Sequence, residues 1–175
     1  MNLNDKKAWC QEYGDKVENE FCVSRLYELG ISGYMNPEKR ENKYVHDIFA
    51  IFKADLKTVR TPFFMAQEKY GIDPQYAVTF NLKDGERYKK LYPNIIVVFD
   101  VLWDKDNCEK VINGKKYEVV PMHKTYAGFL EDIKNAIISC GKKTVEYQGR
   151  INDTNGNAKI SFVFDVRKLQ LLSDK

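Results

Sequence analysis

Nine consecutive residues, Ile95-Ile96-Val97-Val98-Phe99-Asp100-Val101-Leu102-Trp103, are apolar except for one aspartate. The run has the length of a strand and is far too short to span a bilayer. A strand without polar alternation is one covered on both faces, so the rest of the chain has to supply layers above and below it. That requirement points to a mixed α/β domain with a central sheet. The 175 residues, 43% of them apolar and 13% aromatic, are enough to build one such core. This aromatic load also excludes a disordered chain.

The remaining pattern supplies helices and further strands. Residues Asp15 to Leu29 repeat apolar side chains near helical spacing, and Gly30 follows as a terminator. Pro37 to Lys43 is a charged loop. Tyr44 to Ile51 and Lys53 to Val59 read as two short strands of a hairpin that turns near Phe52-Lys53. Pro62 opens a helix, Phe63 to Tyr70, that Gly71 closes. Tyr76 to Phe80 is a strand, Asp84 to Leu91 a short helix, and Lys116 to Val120 a strand after the turn Asn113-Gly114. The spacing of Phe129, Leu130, Ile133, Ala136 and Ile137 predicts a helix over Thr125 to Ile138. Thr144 to Ile151 and Lys159 to Val166 flank the hairpin turn Asn152 to Asn157. No linker divides the chain, so one domain is expected over 1–175.

Charge and cysteine usage exclude several classes. Twenty-eight Lys and Arg against twenty-five Asp and Glu leave +3, which permits a nucleic-acid partner without demanding one. Cys10, Cys22, Cys108 and Cys140 form no Cys-x-x-Cys pair, and His46 and His123 lie apart from them. Zinc and structural disulfides are therefore not expected, and reduced thiols in the cytoplasm are. The polar start from Met1 to Trp9 carries no apolar signal core, and no membrane association is expected.

The most informative stretch runs from His46 to Thr58. Strand alternation sends Asp55 and Lys57 to one face and Leu56 to the other. A carboxylate and an ammonium between buried neighbours need pairing or a metal. Asp47 lies eight residues earlier on the preceding strand, where a hairpin folds it back beside Asp55. Two converging carboxylates make a hard oxygen site suited to Mg²⁺ or Mn²⁺, and a lysine beside it steadies charge on a phosphoryl group. The rival reading is a surface ion pair of Asp55 with Lys57 and an ordinary strand-end carboxylate at Asp47.

This arrangement resembles the PD-(D/E)XK nuclease superfamily, with its restriction enzymes, resolvases and RecB-like domains. Asp47 matches the first acidic motif and Asp55-Leu56-Lys57 the second, with Thr58 as the small polar residue that often follows. Gly14-Asp15-Lys16-Val17-Glu18 is similar to the Gly-x-x-x-Glu start of the first helix in resolvase-like members. His46 stands where the name motif has proline. Gln67 to Tyr70 is one residue short of the Gln-x-x-x-Tyr helix, so that role is not carried over. The match covers approximately 14–103, and 104–175 is a C-terminal elaboration with a helix and a β-hairpin.

The resemblance implies a restriction-endonuclease-like fold, a central mixed β-sheet flanked by helices. It implies Asp47, Asp55 and the main-chain carbonyl of Leu56 as metal ligands. Glu18 would support the site directly or through water, and Lys57 would position the attacking water. The catalytic set is then Glu18, Asp47, Asp55 and Lys57, with Mg²⁺ or Mn²⁺ as cofactor. Around it, Thr58, Arg60 and Gln75 are candidates for substrate contact, and Lys83, Arg87, Lys89 and Lys90 give one helix a basic side. Arg60 reads equally as a solvated cation, and the basic side reads as a solvated charged face ahead of a backbone track. The expected activity is divalent-metal-dependent phosphodiester hydrolysis, on DNA ahead of RNA. Many such relatives cut as homodimers. The alternative is a non-catalytic protein of the same fold that binds nucleic acid or a protein partner.

Overall fold

The computed structural model describes residues 13–29, 31–42, 44–146 and 160–174. Gly30, Lys43 and the Asn152–Asn157 turn lie outside them. The chain divides into two compact units, Met1–Lys53 and Ala54–Lys175.

In the first unit, helix α1 (13–28) covers the stretch expected to be helical, with a wider π-turn at Phe21–Arg25. There the Ser24 hydroxyl donates to the Glu20 carbonyl, a bond that competes with the regular ladder. Strands β1 (Ser32–Met35) and β2 (Ile48–Ile51) pair antiparallel. Leu26 is buried against them, and its packing needs Gly33. A Cβ at that position would stand 2.4 Å from Leu26 Cδ1 and 2.7 Å from the Phe49 carbonyl. Between the strands, Pro37–Arg40 winds into a 3-10 turn rather than an open loop. It is capped by buried Asn36, whose side chain accepts from the Glu38 N–H at 3.0 Å.

The second unit is built on the apolar run. Its elements are β3 (Ala54–Val59), α2 (Ala66–Tyr70), β4 (Ala77–Asn81), α3 (Leu82–Leu91) and β5 (Ile96–Trp103). After these come β6 (Glu109–Ile112), β7 (Lys115–Glu118), β8 (Met122–Phe129) and α4 (Leu130–Ser139). The last described strands are β9 (Thr144–Glu146), β10 (Ile160–Asp165) and β11 (Gln170–Asp174). One mixed sheet has the order β11-β8-β5-β3 and a smaller antiparallel sheet the order β4-β10-β9. β3 and β5 run parallel, as a long crossover through α2, β4 and α3 allows. β6 and β7 form a separate hairpin. Its two-residue turn has φ of 51° at Asn113 and 77° at Gly114, both positive as a type I′ turn requires.

The core lies between the inner faces of the two sheets and the helices α3 and α4. Val97, Phe99, Val101 and Trp103 of β5 are fully buried there with Phe164 of β10, Tyr88 of α3 and Ile133 of α4. The protein is thus an α/β fold with mixed sheets flanked by helices.

Three expectations are corrected. β5 is fully buried on one face only: Ile96, Val98, Asp100 and Leu102 on the other are half-exposed. Met122–Phe129 is a strand, and the helix starts at Leu130. All eight residues of β8 pair in register with β5, and this ladder outweighs the weak helical tendency of a segment with Thr125, Tyr126 and Gly128. The third concerns the segment with both acids. β2 pairs with β1 and β3 with β5, so the expected hairpin of these two strands gives way to two different pairings.

Candidate active site

Asp55 and Lys57 do share a face of β3. Register places Asp55 beside Val97 and Lys57 beside Phe99, both on the buried side of β5. Leu56 points the other way and is 61% exposed, leaving only its main chain at the site. Lys57 Nζ lies 3.0 Å from Asp55 Oδ2 and donates to Asp84 Oδ2 at 2.5 Å. The Asp55 contact has the distance of an ion pair without the alignment of a hydrogen bond. Its Oδ2 is accordingly a buried oxygen with no hydrogen-bond partner.

Asp84 reaches Lys57 because Asn81 starts α3. The Asn81 side chain accepts from the Lys83 N–H at 2.8 Å, which places Asp84 in the first turn and Tyr88 one turn on, under the same face. Tyr88 is buried, and its ring centroid is 5.8 Å from Lys57 Nζ. Arg87 Nη2 meets Asp84 Oδ1 at 2.9 Å and the Tyr88 hydroxyl at 3.3 Å. A charge chain Asp55–Lys57–Asp84–Arg87 results, alternating in sign.

These neighbours set the protonation of the site. Burial pulls the Lys57 ammonium down, but its bond to Asp84 and its contact with Asp55 outweigh this and hold it above the ordinary lysine range. Lys57 is therefore a cation at neutral pH. Its charge faces the Asp55 and Asp84 carboxylates. Burial also pushes the Tyr88 hydroxyl up.

The other two acids of the expected set belong to the first unit. Lys39 Nζ lies 2.5 Å from Glu18 Oε1 and 2.6 Å from Asp47 Oδ1, so both carboxylates converge on one ammonium. Asn36 prepares this contact. Its N–H donates to the Asp47 carbonyl at 2.9 Å and its Nδ2 to the His46 carbonyl at 3.0 Å, tying Asp47 to the turn that carries Lys39. The bonds to Asp47 and then Glu18 raise the Lys39 pKa. Sequence pattern did not single out Lys39, because it reads as one of several charges in a polar loop.

Two of the residues expected to contact substrate, Arg60 and Gln75, serve other contacts. Thr58 is exposed on the face opposite Lys57. Arg60 donates to the Asp100 carboxylate at 2.6 Å and to the Asp100 carbonyl at 2.7 Å. His123 Nε2 is 2.9 Å from the same carboxylate. Gln75 ties down the Val120 backbone through both ends of its amide, at 2.9 and 2.7 Å, while its own carbonyl accepts from Trp103 Nε1 at 3.0 Å.

Arg60, and next His123, hold the Asp100 carboxyl below the usual carboxylate range against the opposing effect of burial. A group with a lowered folded pKa stabilises the fold above its unfolded pKa of about 3.9, and that contribution is lost as pH falls through the folded value. We expect the stability difference between the wild type and Arg60→Gln to be constant above about pH 5 and to shrink below about pH 4. Urea unfolding across this range checks it. A difference that grows on acidification would contradict the assignment.

Among the described residues, no group of three or more His, Cys, Asp and Glu side chains is arranged to hold a metal ion. Among the described residues, Asp55 Oδ2 is the buried carboxylate oxygen without a hydrogen bond. That fits Mg²⁺ or Mn²⁺, which take one or two carboxylates and complete their shell with water and phosphate oxygens. Also among the described residues, no helix is long and apolar enough to cross a membrane. No family model matches the chain, and no curated protein or solved structure matches it either.

Proposed function

We propose that this protein is a divalent-metal-dependent nuclease of restriction-endonuclease-like fold, hydrolysing phosphodiester bonds of DNA ahead of RNA. The observation that carries the reading is Asp55 Oδ2, a buried carboxylate oxygen with no hydrogen-bond partner, 3.0 Å from an ammonium held in its charged form. Asp55 and the Leu56 main-chain carbonyl would hold Mg²⁺ or Mn²⁺, which would supply charge neutralisation at the scissile phosphate. Lys57 orients the attacking water and stabilises the negative charge that develops on the phosphoryl oxygens. Asp84 fixes Lys57 in place, and so acts as a positioning residue.

One observation favours the non-catalytic alternative. Lys57 already has a close partner in Asp84, as it would in a purely structural ion network.

Linear duplex DNA, supercoiled DNA and RNA incubated with the protein and Mg²⁺ or Mn²⁺ separate the readings. Cleavage that requires the metal and stops in EDTA is expected, together with Mn²⁺ binding in calorimetry. An intact fold that binds no Mn²⁺ at millimolar concentration and cuts none of the substrates would favour the non-catalytic alternative.

A further inference from the structure

Helix α3 does more than supply Asp84. Tyr88 is buried and Asp84 turns in toward Lys57, which fixes the rotation of the helix and sends Lys83, Arg87 and Lys90 to the exposed side. Separated by four and then three residues, these three cations form one stripe along the helix. Lys89 lies beside the stripe and Glu86 within it. The ten residues carry four cations and two acids, a net +2 in a chain whose total is +3. One of those acids, Asp84, turns in to Lys57 and is shared with Arg87, whose charge it partly matches.

The stripe is continuous with the candidate site through Arg87. Its guanidinium stacks over Tyr88, 5.0 Å from the ring centroid, and meets the same Asp84 carboxylate that holds Lys57. A guanidinium has five N–H donors in a planar fork suited to phosphate, and Nη2 makes both contacts to Asp84 and Tyr88. Lys83 and Lys90 are about 10 Å apart along the helix axis, the length of about three base-pair steps.

We propose that the Lys83–Arg87–Lys90 face of α3 is the track for the sugar–phosphate backbone of duplex DNA, delivering it to Asp55 and Lys57. The inference rests on the nuclease reading and adds to it the surface that grips the substrate. The charge complementarity of the stripe and its continuity with the charge chain at Lys57 select a polyanion as the occupant.

The test is fluorescence anisotropy of a labelled 20-base-pair duplex in EDTA, where cleavage is excluded, titrated over a range of KCl concentrations. Neutralising three phosphate contacts changes the slope of log K against log[salt] by about 0.9 per contact. The variant Lys83→Gln/Arg87→Gln/Lys90→Gln should lose about tenfold or more in affinity, with a slope shallower by about 2–3. Arg87→Gln alone should account for about one contact. A control that removes the same charge elsewhere, Lys110→Gln/Lys142→Gln/Lys168→Gln, should keep the wild-type slope.

Unchanged affinity and slope in the α3 variant, an equal loss in the control, or no duplex binding by the wild type would each overturn the proposal. The nuclease reading fails separately: a wild type that binds duplex through α3 but never cleaves it with metal refutes catalysis and keeps the track. A wild type that cleaves while the α3 variant binds normally does the reverse.

Discussion

Replacing Phe99 by alanine is expected to lower the unfolding free energy by about 3–5 kcal/mol, the cost of deleting a fully buried aromatic side chain and leaving its cavity. Phe99 has no exposed surface and sits at the middle of β5, with Lys57 on β3 and Tyr126 on β8 as its register neighbours. Its ring meets Phe164 of β10 edge-on, with centroids 5.6 Å apart. The pair therefore joins the two sheets of the second unit, and the loss is felt in both. A domain has only about 5–15 kcal/mol in hand, so Phe99→Ala stands close to the limit of folding. Phe99→Leu keeps most of the volume and is expected to cost less than half as much. Urea unfolding followed by circular dichroism gives both values. A double-mutant cycle with Phe164→Leu should return a coupling of about 0.5–1.5 kcal/mol for the ring contact. A loss below about 1 kcal/mol in Phe99→Ala would show that the sheets are not joined there.

The second large effect is on activity. Under the proposed mechanism Lys57→Met should reduce the cleavage rate by about 10²–10³-fold, the usual consequence of removing one group that stabilises a developing oxyanion. Asp55→Asn should reduce it at least as far and weaken Mn²⁺ binding as well. Lys57→Met also leaves Asp55 and Asp84 facing each other with no cation between them. The three side chains are between 21% and 32% exposed, so the structural cost is less than for a fully buried pair, about 1–2 kcal/mol. Combining Lys57→Met with Asp84→Asn removes that repulsion. The double variant should regain most of the stability and none of the activity. If it cleaves like the wild type, Lys57 has no chemical role. If it stays as unstable as the single variant, the Asp84 contact is not what Lys57 was balancing.

Local pattern reached part of this site. Period-two alternation is a property of any strand, so the common face of Asp55 and Lys57 followed from three consecutive residues. The partner that holds Lys57 charged did not. Asp84 is 27 residues away on a helix whose sequence gives no sign of which strand it will cover. Glu18 and Asp47 read in sequence as members of one set with Asp55 and Lys57, yet both meet Lys39, in a stretch that sequence could describe only as polar. Arg60 and Gln75 look in sequence like free polar groups near a site. Folding turned both to the backbone and side chains of distant residues, because a polar group beside a sheet is costly unless its hydrogen bonds are satisfied.

By itself the sequence determined the elements whose cause is local. These are the apolar strand β5, the type I′ turn at Asn113-Gly114, the glycine closing α2, and the shared face of Asp55 and Lys57. Only the tertiary structure decided that Met122–Phe129 is a strand, that β2 and β3 take different partners, and that Lys57 is held by Asp84 and Arg87 anchored beside it. The physical reason is the same in each case. Turn chemistry and side-chain periodicity act within a few residues, whereas strand pairing and ion pairing are chosen by which surfaces the whole chain buries together.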